Sequence, residues 1–192
     1  MRNRTLRIAA VLALAAALTG TAATASAVTP PPAAETTARI KGSAHLDYPT
    51  AGEDIQVTVD ARATYTKDGP WLPVKSEGTL RLSHTMPQPD GGSRTYWADM
   101  EVDCMTKGGP NATVTGRIVA ASNNPQGGGF PPDPFQDMLK DHVRLGMSFY
   151  VPGKGGGPAR VGLSGAADKT LSRCMAPAPY DKVVKGGFTL KS

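Results

Sequence analysis

Apolar and polar residues alternate strictly along residues 55–66, which read IQVTVDARATYT. From Ile55 to Tyr65 every second residue is apolar or small, and the residues between them are polar or charged. Side chains of a β-strand point alternately to its two faces. The pattern therefore predicts a strand with one face in a core and the other in water.

The same alternation recurs along most of the chain. It predicts further strands in the segments RIKGSAHLDY, GTLRLSH, RTYWADMEVDCM, ATVTGRIVAA and VRLGMSFYV, and in short runs at 159–164 and 187–190. A KGGPN turn joins the third and fourth of these segments, which are therefore expected to form a hairpin. Strict alternation places Cys104 on the apolar face of its strand, with Tyr96 and Met100. The one helical pattern lies at 133–142, behind an Asp-Pro start.

About eight strands with one brief helix predict an all-β fold. Alternating strands indicate antiparallel pairing, because buried parallel strands read as continuous apolar runs. Strands that pair as a meander favour a small barrel, whose closure leaves no exposed edge, and a two-sheet sandwich is the alternative. Several core positions are small, among them Ala44, Ala61, Ala63 and Ala98. We expect them to pack beside larger residues in a filled core rather than to line a ligand cavity.

Residues 1–27 have the features of a secretory signal peptide, which precedes the folded protein. Three arginines lead into an apolar run at 8–18, and Ala-Ser-Ala at 25–27 supplies the small-residue cleavage pattern. The apolar run is shorter than the ~20 residues that a membrane-spanning helix needs. We therefore expect a secreted, extracellular protein without a stable membrane anchor.

Residues 28–37 read VTPPPAAETT and are predicted to form a flexible leader, since they show no apolar periodicity. Residues 38–192 are predicted to form a single β domain, because glycines and prolines are spread between the strands rather than gathered in one linker. The segment 123–140 is rich in proline and glycine, and the sequence assigns it no role.

The charge of the processed chain is small. The signal segment removes three of the 21 basic residues and none of the 16 acidic ones, which leaves a formal charge of about +2. The basic residues form no cluster in the sequence, so we expect neither nucleic-acid binding nor attraction to anionic membranes.

Cys104 and Cys174 are the only two cysteines. In an exported protein an isolated pair is expected to form a disulfide. Closing a loop of about 70 residues contributes ~4 kcal/mol in the chain-entropy model. Two buried thiols or a metal pair are the alternative, although no Cys/His spacing supports a metal centre.

Two sets of side chains are candidates for chemistry. The carboxylates Asp99, Glu101 and Asp103 lie at successive outward positions, as hard-cation ligands or as a solvated face. The histidines, which lie in different elements without any HExxH or GxSxG motif, are His45, His84 and His142. We expect surface histidines, no catalytic set and no cofactor, unless the fold brings one histidine to a distant partner.

The segment CMAPAPYDKVV, which begins at Cys174, contains a candidate partner loop formed by Met175, Ala176 and Pro177. It resembles the reactive loop of subtilisin-inhibitor-type secreted proteins, in which a stiff loop is presented at low entropic cost. Those proteins carry two disulfides, and this chain can form one. A plain connecting loop is the alternative.

The segments VDCMTKGGPNATVTGRIVAAS and RCMAPAPYDKVVKGGFTL carry a broader resemblance. With them, the chain is similar to a group of small secreted actinobacterial proteins, some titled repetin, over most of residues 41–190. The resemblance implies a small β-barrel or sandwich and no particular activity.

These observations predict a secreted, monomeric, non-enzymatic β-barrel protein that binds a small ligand or an extracellular protein. One alternative is an extracellular enzyme whose barrel mouth gathers His45, His84 or the carboxylates. A secreted protease inhibitor is the other.

Overall fold

Eight antiparallel strands and one short helix form the fold, and the computed structural model describes residues 34–67, 69, 71–88, 91–124, 133–165 and 171–192. The elements are β1 (Glu35–Leu46), β2 (Asp54–Thr66), β3 (Lys75–Pro87), β4 (Ser93–Gly108), β5 (Asn111–Ala121), α1 (Pro134–Lys140), β6 (Arg144–Tyr150), β7 (Arg160–Leu163) and β8 (Asp181–Lys191). The predicted signal peptide and most of the predicted leader lie outside the described residues.

The strands close into one barrel. Each strand pairs with its neighbour in the sequence, and β8 pairs with β1 to complete the ring. The all-β prediction and the antiparallel barrel are confirmed, and the sandwich alternative is wrong. The pairing around the ring is uneven: β1 pairs with β2 along the whole length of β1, whereas β7 and β8 share only the pairs Arg160–Lys182 and Val161–Asp181.

The barrel interior is filled by large side chains. Met100, Met105, Met147 and Phe149 are fully buried, and the small residues predicted for the core, such as Ala61, lie among them. Close packing of large against small residues is how small barrels fill their tapering interior.

A β-bulge in β4 reverses the predicted orientation of Cys104. The register with β5 shifts between Val102 and Cys104, so that Cys104 lies opposite Thr115 and Met105 lies opposite Val114. The extra residue turns the side chain of Cys104 to the outer wall and that of Met105 into the core. The sequence prediction that Cys104 shares the face of Tyr96 was therefore wrong.

Two element boundaries differ from the predicted ones. β1 already begins at Glu35, inside the segment predicted as a flexible leader, because its first residues pair with the end of β2. The predicted helix is present as α1, where the Asp133 side chain caps the first turn by accepting from Phe135 N at 3.0 Å. Residues 125–132 of the unassigned 123–140 segment lie outside the described residues.

The two ends of the barrel are built from different connections. The helix end contains the connections that join β1 to β2, β3 to β4, β5 to β6 with α1, and β7 to β8. The opposite end contains the entry to β1, the exit from β8, and the connections that join β2 to β3, β4 to β5 and β6 to β7.

Candidate functional site

The connection from β7 to β8 crosses the outer wall as a strap, which we define as residues 171–180. The disulfide between Cys104 and Cys174, with Cα atoms 5.2 Å apart, fixes the strap to β4. The backbone nitrogen of Cys174 donates to Thr115 Oγ1 on β5 at 3.2 Å, and Ser148 on β6 donates to the carbonyl of Pro177. The predicted disulfide is thus confirmed, and it lies on the outside of the barrel.

Two outward glycines make room for the strap. A side chain at Gly146 would meet the carbonyl of Met175 and the side chain of Leu171, and one at Gly162 would meet the carbonyl of Ala178. The strap therefore packs directly against the backbone of β6 and β7.

Asp103 fastens the strap by its charge and its backbone. Its carboxylate accepts from Thr115 Oγ1 at 2.6 Å and from Arg144 Nε at 2.7 Å, and its carbonyl accepts from Arg173 Nε at 2.8 Å. Arg144 also donates to the carbonyl of Leu171 at 3.2 Å. These hydrogen bonds, several of them charge-assisted, hold the start of the strap against β4 and β6.

The carboxylate row proposed as a cation site is divided among arginines. Asp99 pairs with Arg81 at 3.1 Å, and Arg81 in turn lies 4.3 Å from the ring centroid of Trp97. Asp103 belongs to the strap network, and Glu101 is exposed between them. No group of three or more His, Cys, Asp or Glu side chains within the described residues is arranged to hold a metal ion.

The candidate partner loop is the centre of the strap. The Met175 side chain is exposed, but the Met175 nitrogen donates to Ser172 O at 3.3 Å and the Pro177 carbonyl is bonded to Ser148. A reactive loop needs free backbone groups to pair with a protease, and here several are used inside the chain. The contacts favour the connecting-loop alternative.

The fold does not bring the three histidines together. His45 lies on the outer wall and shares a hydrogen bond of 2.8 Å with Asp54. His142 contributes its carbonyl, which accepts from Arg117 at 2.9 Å. His84 is different, because it follows Leu80 and Leu82 on the inward face of β3.

His84 therefore points into the barrel mouth at the helix end. Its Nε2 lies 2.5 Å from Glu53 Oε2, and both side chains are mostly buried. The ring of Tyr48 meets His84 edge-on with centroids 5.4 Å apart. Across the sheet His84 pairs with Tyr96, so their Cβ atoms are about 5 Å apart. We call Tyr48, Glu53, His84 and Tyr96 the mouth site.

The hydroxyl of Tyr96 is the unusual group of the mouth site. The residue is 2% exposed, and its hydroxyl has no hydrogen-bond partner among the described residues. A buried polar group without a partner costs about 1–3 kcal/mol, so native proteins keep few of them. The missing partner sets the Tyr96 hydroxyl apart from the other buried side-chain polar atoms of the described residues.

Tyr96 at the mouth site is shielded from solvent in this structure. Four clefts of about 220 to 690 Å³ lie elsewhere on the surface, and no mouth residue lines any of these four. Glu53 belongs to the turn between β1 and β2, and its bond to His84 ties that turn to β3.

A carboxylate pair lies at the same end of the barrel. Burial raises the pKa of Asp181 above its ordinary value of 3.8, and the nearby charge of Asp47 raises it further. On the outer wall the opposite holds: hydrogen bonds from Arg39 hold the pKa of Asp60 below its ordinary range, and Lys41 adds to the effect.

The sequence predicted His84 as a candidate but missed Glu53 and Tyr96. Glu53 stands in a turn, where nothing in the pattern marks it as a partner for a strand 31 residues away. Tyr96 reads as one more apolar residue of β4. What marks Tyr96 is its position opposite His84. That position follows from the pairing of β3 with β4, which the sequence does not show.

No family model, curated protein or solved structure matches the chain. Among the described residues, no helix has the length and apolar character needed to cross a membrane.

Proposed function

We propose that the protein is an exported binding protein without catalytic activity, and that it takes a small polar molecule at the mouth site. The observation that carries this proposal is the buried Tyr96 hydroxyl, which lacks a partner among the described residues. A closed barrel with a strap fixed by a disulfide is a suitable scaffold for such a site, since preorganised groups bind at low entropic cost.

The side chains of the mouth site define the ligand class. Tyr96 offers a hydroxyl that donates or accepts, and His84 offers ring nitrogens that bond either kind of group. Tyr48 provides an aromatic surface beside them. The ligand we propose is therefore a small molecule with a flat apolar part and at least one hydrogen-bonding oxygen or nitrogen.

A panel of such molecules tests the proposal by thermal unfolding of the processed protein. A ligand at 100 times its Kd stabilises by about 2.7 kcal/mol, which gives a measurable rise in Tm. We expect a hit to lose its effect in Tyr96→Phe and to keep it in Tyr180→Phe, an exposed tyrosine on the strap. Equal shifts in both variants, or no hit across the panel, would overturn the proposal.

A second candidate is an extracellular enzyme, and the His84–Glu53 contact of 2.5 Å is the observation that favours it. A carboxylate that orients an imidazole is the usual partner of a general base. However, both cysteines form the disulfide, and no serine or threonine hydroxyl bonds either ring nitrogen of His84 among the described residues. Turnover of an ester or glycoside panel that is lost in His84→Gln would support the enzyme over the binding protein.

Export itself and kinship with the repetin-titled actinobacterial proteins are part of this proposal. The sequence pattern at residues 1–27 and the disulfide support an extracellular location. We expect mass spectrometry of the protein from culture medium to show cleavage after Ala27. Intact chains retained in the cell would contradict export.

A further inference from the structure

An exposed apolar run lies at the end of the barrel opposite the mouth site. Trp71, Leu72 and Val74, in the connection from β2 to β3, are 76%, 39% and 55% exposed. The connection is not a loose tail, because Val74 N donates to Thr64 O at 2.8 Å. Adjacent large apolar residues are seldom left in water without an interaction that covers them.

Lysines from five separate segments lie at the same end of the barrel as this run. The topology brings together at this end the lysines that lie in or beside its connections, namely Lys67, Lys75, Lys107, Lys154 and Lys191. Backbone bonds join these segments: Lys67 N donates to Ala34 O at 2.7 Å, and Val151 N donates to Pro110 O at 2.8 Å. Lys75 pairs with Glu77 at 2.6 Å, and the other four have no ion pair within the described part of the chain.

Charge is divided between the two ends. The described connections of the opposite end, which exclude Asp68, contain no acidic residue, although Glu35 begins β1 and Glu77 pairs with Lys75 in β3 at this end. The connections of the helix end contain several acidic residues besides Lys140, namely Asp47, Glu53, Asp133, Asp137 and Asp141. The small net charge of the chain therefore conceals an uneven distribution of charge between the two ends. The sequence prediction of no attraction to anionic membranes considered only clusters along the chain, and these lysines lie far apart in the sequence.

We propose that the opposite end docks on an anionic lipid bilayer, with Trp71 and Leu72 at the level of the headgroups and the lysines against the phosphates. Aromatic and aliphatic residues flanked by lysines are the composition of interfacial membrane contacts. A bilayer suits this surface better than a protein groove does, because the apolar residues lie on an exposed connection and lysines lie in or beside the other connections of the same end. The contact is peripheral and reversible, since one short apolar run cannot anchor a protein permanently.

Tryptophan fluorescence tests the docking directly. The chain has two tryptophans, and Trp97 lies on the outer wall against Arg81. In Trp97→Phe, Trp71 is the only reporter. We expect vesicles of phosphatidylcholine and phosphatidylglycerol at 3:1 to shift its emission to the blue and to carry the protein in sedimentation. Pure phosphatidylcholine should bind less, and high salt should release the protein.

Matched variants separate the apolar and charged contributions. Trp71→Ser with Leu72→Ser should lose vesicle sedimentation. The same two changes at exposed residues of the helix end, Tyr180→Ser with Val184→Ser, should leave it unchanged. Lys107→Gln with Lys154→Gln should weaken binding roughly 25-fold, at about fivefold per lysine near an anionic surface.

Three results would overturn the proposal. The first is the absence of sedimentation with the anionic vesicles. The second is an equal loss of binding in the serine variants at both ends. The third is a pair of observations: dextran sulfate binds as tightly as vesicles do, and vesicles leave the emission of Trp71 unchanged. Together they would show that the surface binds a soluble polyanion rather than a bilayer. Because Tyr96→Phe leaves this end intact, vesicle binding in that variant keeps the test independent of the mouth site.

Discussion

At the scale of single residues, neighbouring side chains of the mouth site differ in whether they have a hydrogen-bond partner. His84 Nε2 bonds Glu53 Oε2, whereas the hydroxyl of Tyr96, across the sheet, has no partner among the residues that the structure describes. Alternation in the sequence correctly placed Tyr96 on the core face. It could not reveal the orphaned hydroxyl, because hydrogen bonding depends on which neighbours the register supplies.

Tyr96→Phe should therefore leave the free energy of unfolding unchanged or raise it by about 1 kcal/mol, because it removes an unsatisfied buried group. Tyr65→Phe is the matched comparison, since Tyr65 donates to Met105 O at 3.2 Å and should lose about 1 kcal/mol. Urea denaturation of both variants measures the difference. Equal destabilisation would mean that Tyr96 has a partner in the folded protein.

The raised pKa of Asp181 predicts a pH dependence. Because the folded pKa exceeds the unfolded one, the folded state holds its proton more tightly between the two values. The contribution of Asp181 to stability should fall as pH rises from about 3.8 through its folded pKa. Asp181→Asn should thus be more stable than wild type at pH 7, and its advantage should vanish at pH 3. Unfolding free energies at both pH values check this, and a constant difference would contradict it.

At the scale of elements, the sequence predicted the strands and the cysteine pair, and it missed the bulge. Strands follow from periodicity, which is local. The bulge at Cys104 inserts one residue into a pattern that otherwise alternates, and only the pairing with β5 shows it. Its consequence is large: it moves the disulfide outside and creates the anchor of the strap.

Close contact between the strap and β6 predicts a size limit at Gly146. Gly146→Ala should lose about 1–3 kcal/mol, because the new methyl group meets the Met175 carbonyl and must displace the strap. Gly153→Ala, whose methyl group meets no atom within 4 Å, is the control and should change stability little. Thermal and urea unfolding measure both. A neutral Gly146→Ala would show that the strap yields without cost.

At the scale of the whole molecule, the ring of strands is weakest where the fewest residues pair, between β7 and β8. β7 and β8 share two residue pairs, and the strap with its disulfide spans the wall beside this seam. The meander was predictable from the order of the strands. The weakness of one seam was not, because strand length at β7 is set by the glycine and proline residues around it.

Replacing both cysteines with alanine should cost about 4 kcal/mol in the chain-entropy model. Hydrogen exchange should then rise first in β7 and at the start of β8, while the long pairing of β3 with β4 stays protected. Mass spectrometry of deuterium uptake locates the change. Uniform loss of protection around the ring would contradict a local seam.

Our main proposal is that the mouth site receives a small polar molecule at Tyr96. A crystal structure of the processed protein soaked with the strongest hit of the thermal panel would test this proposal. We expect a ligand oxygen or nitrogen about 3 Å from Tyr96 Oη, with the Glu53 turn displaced from His84. A ligand bound elsewhere, with Tyr96 Oη bonded to another protein group, would contradict it.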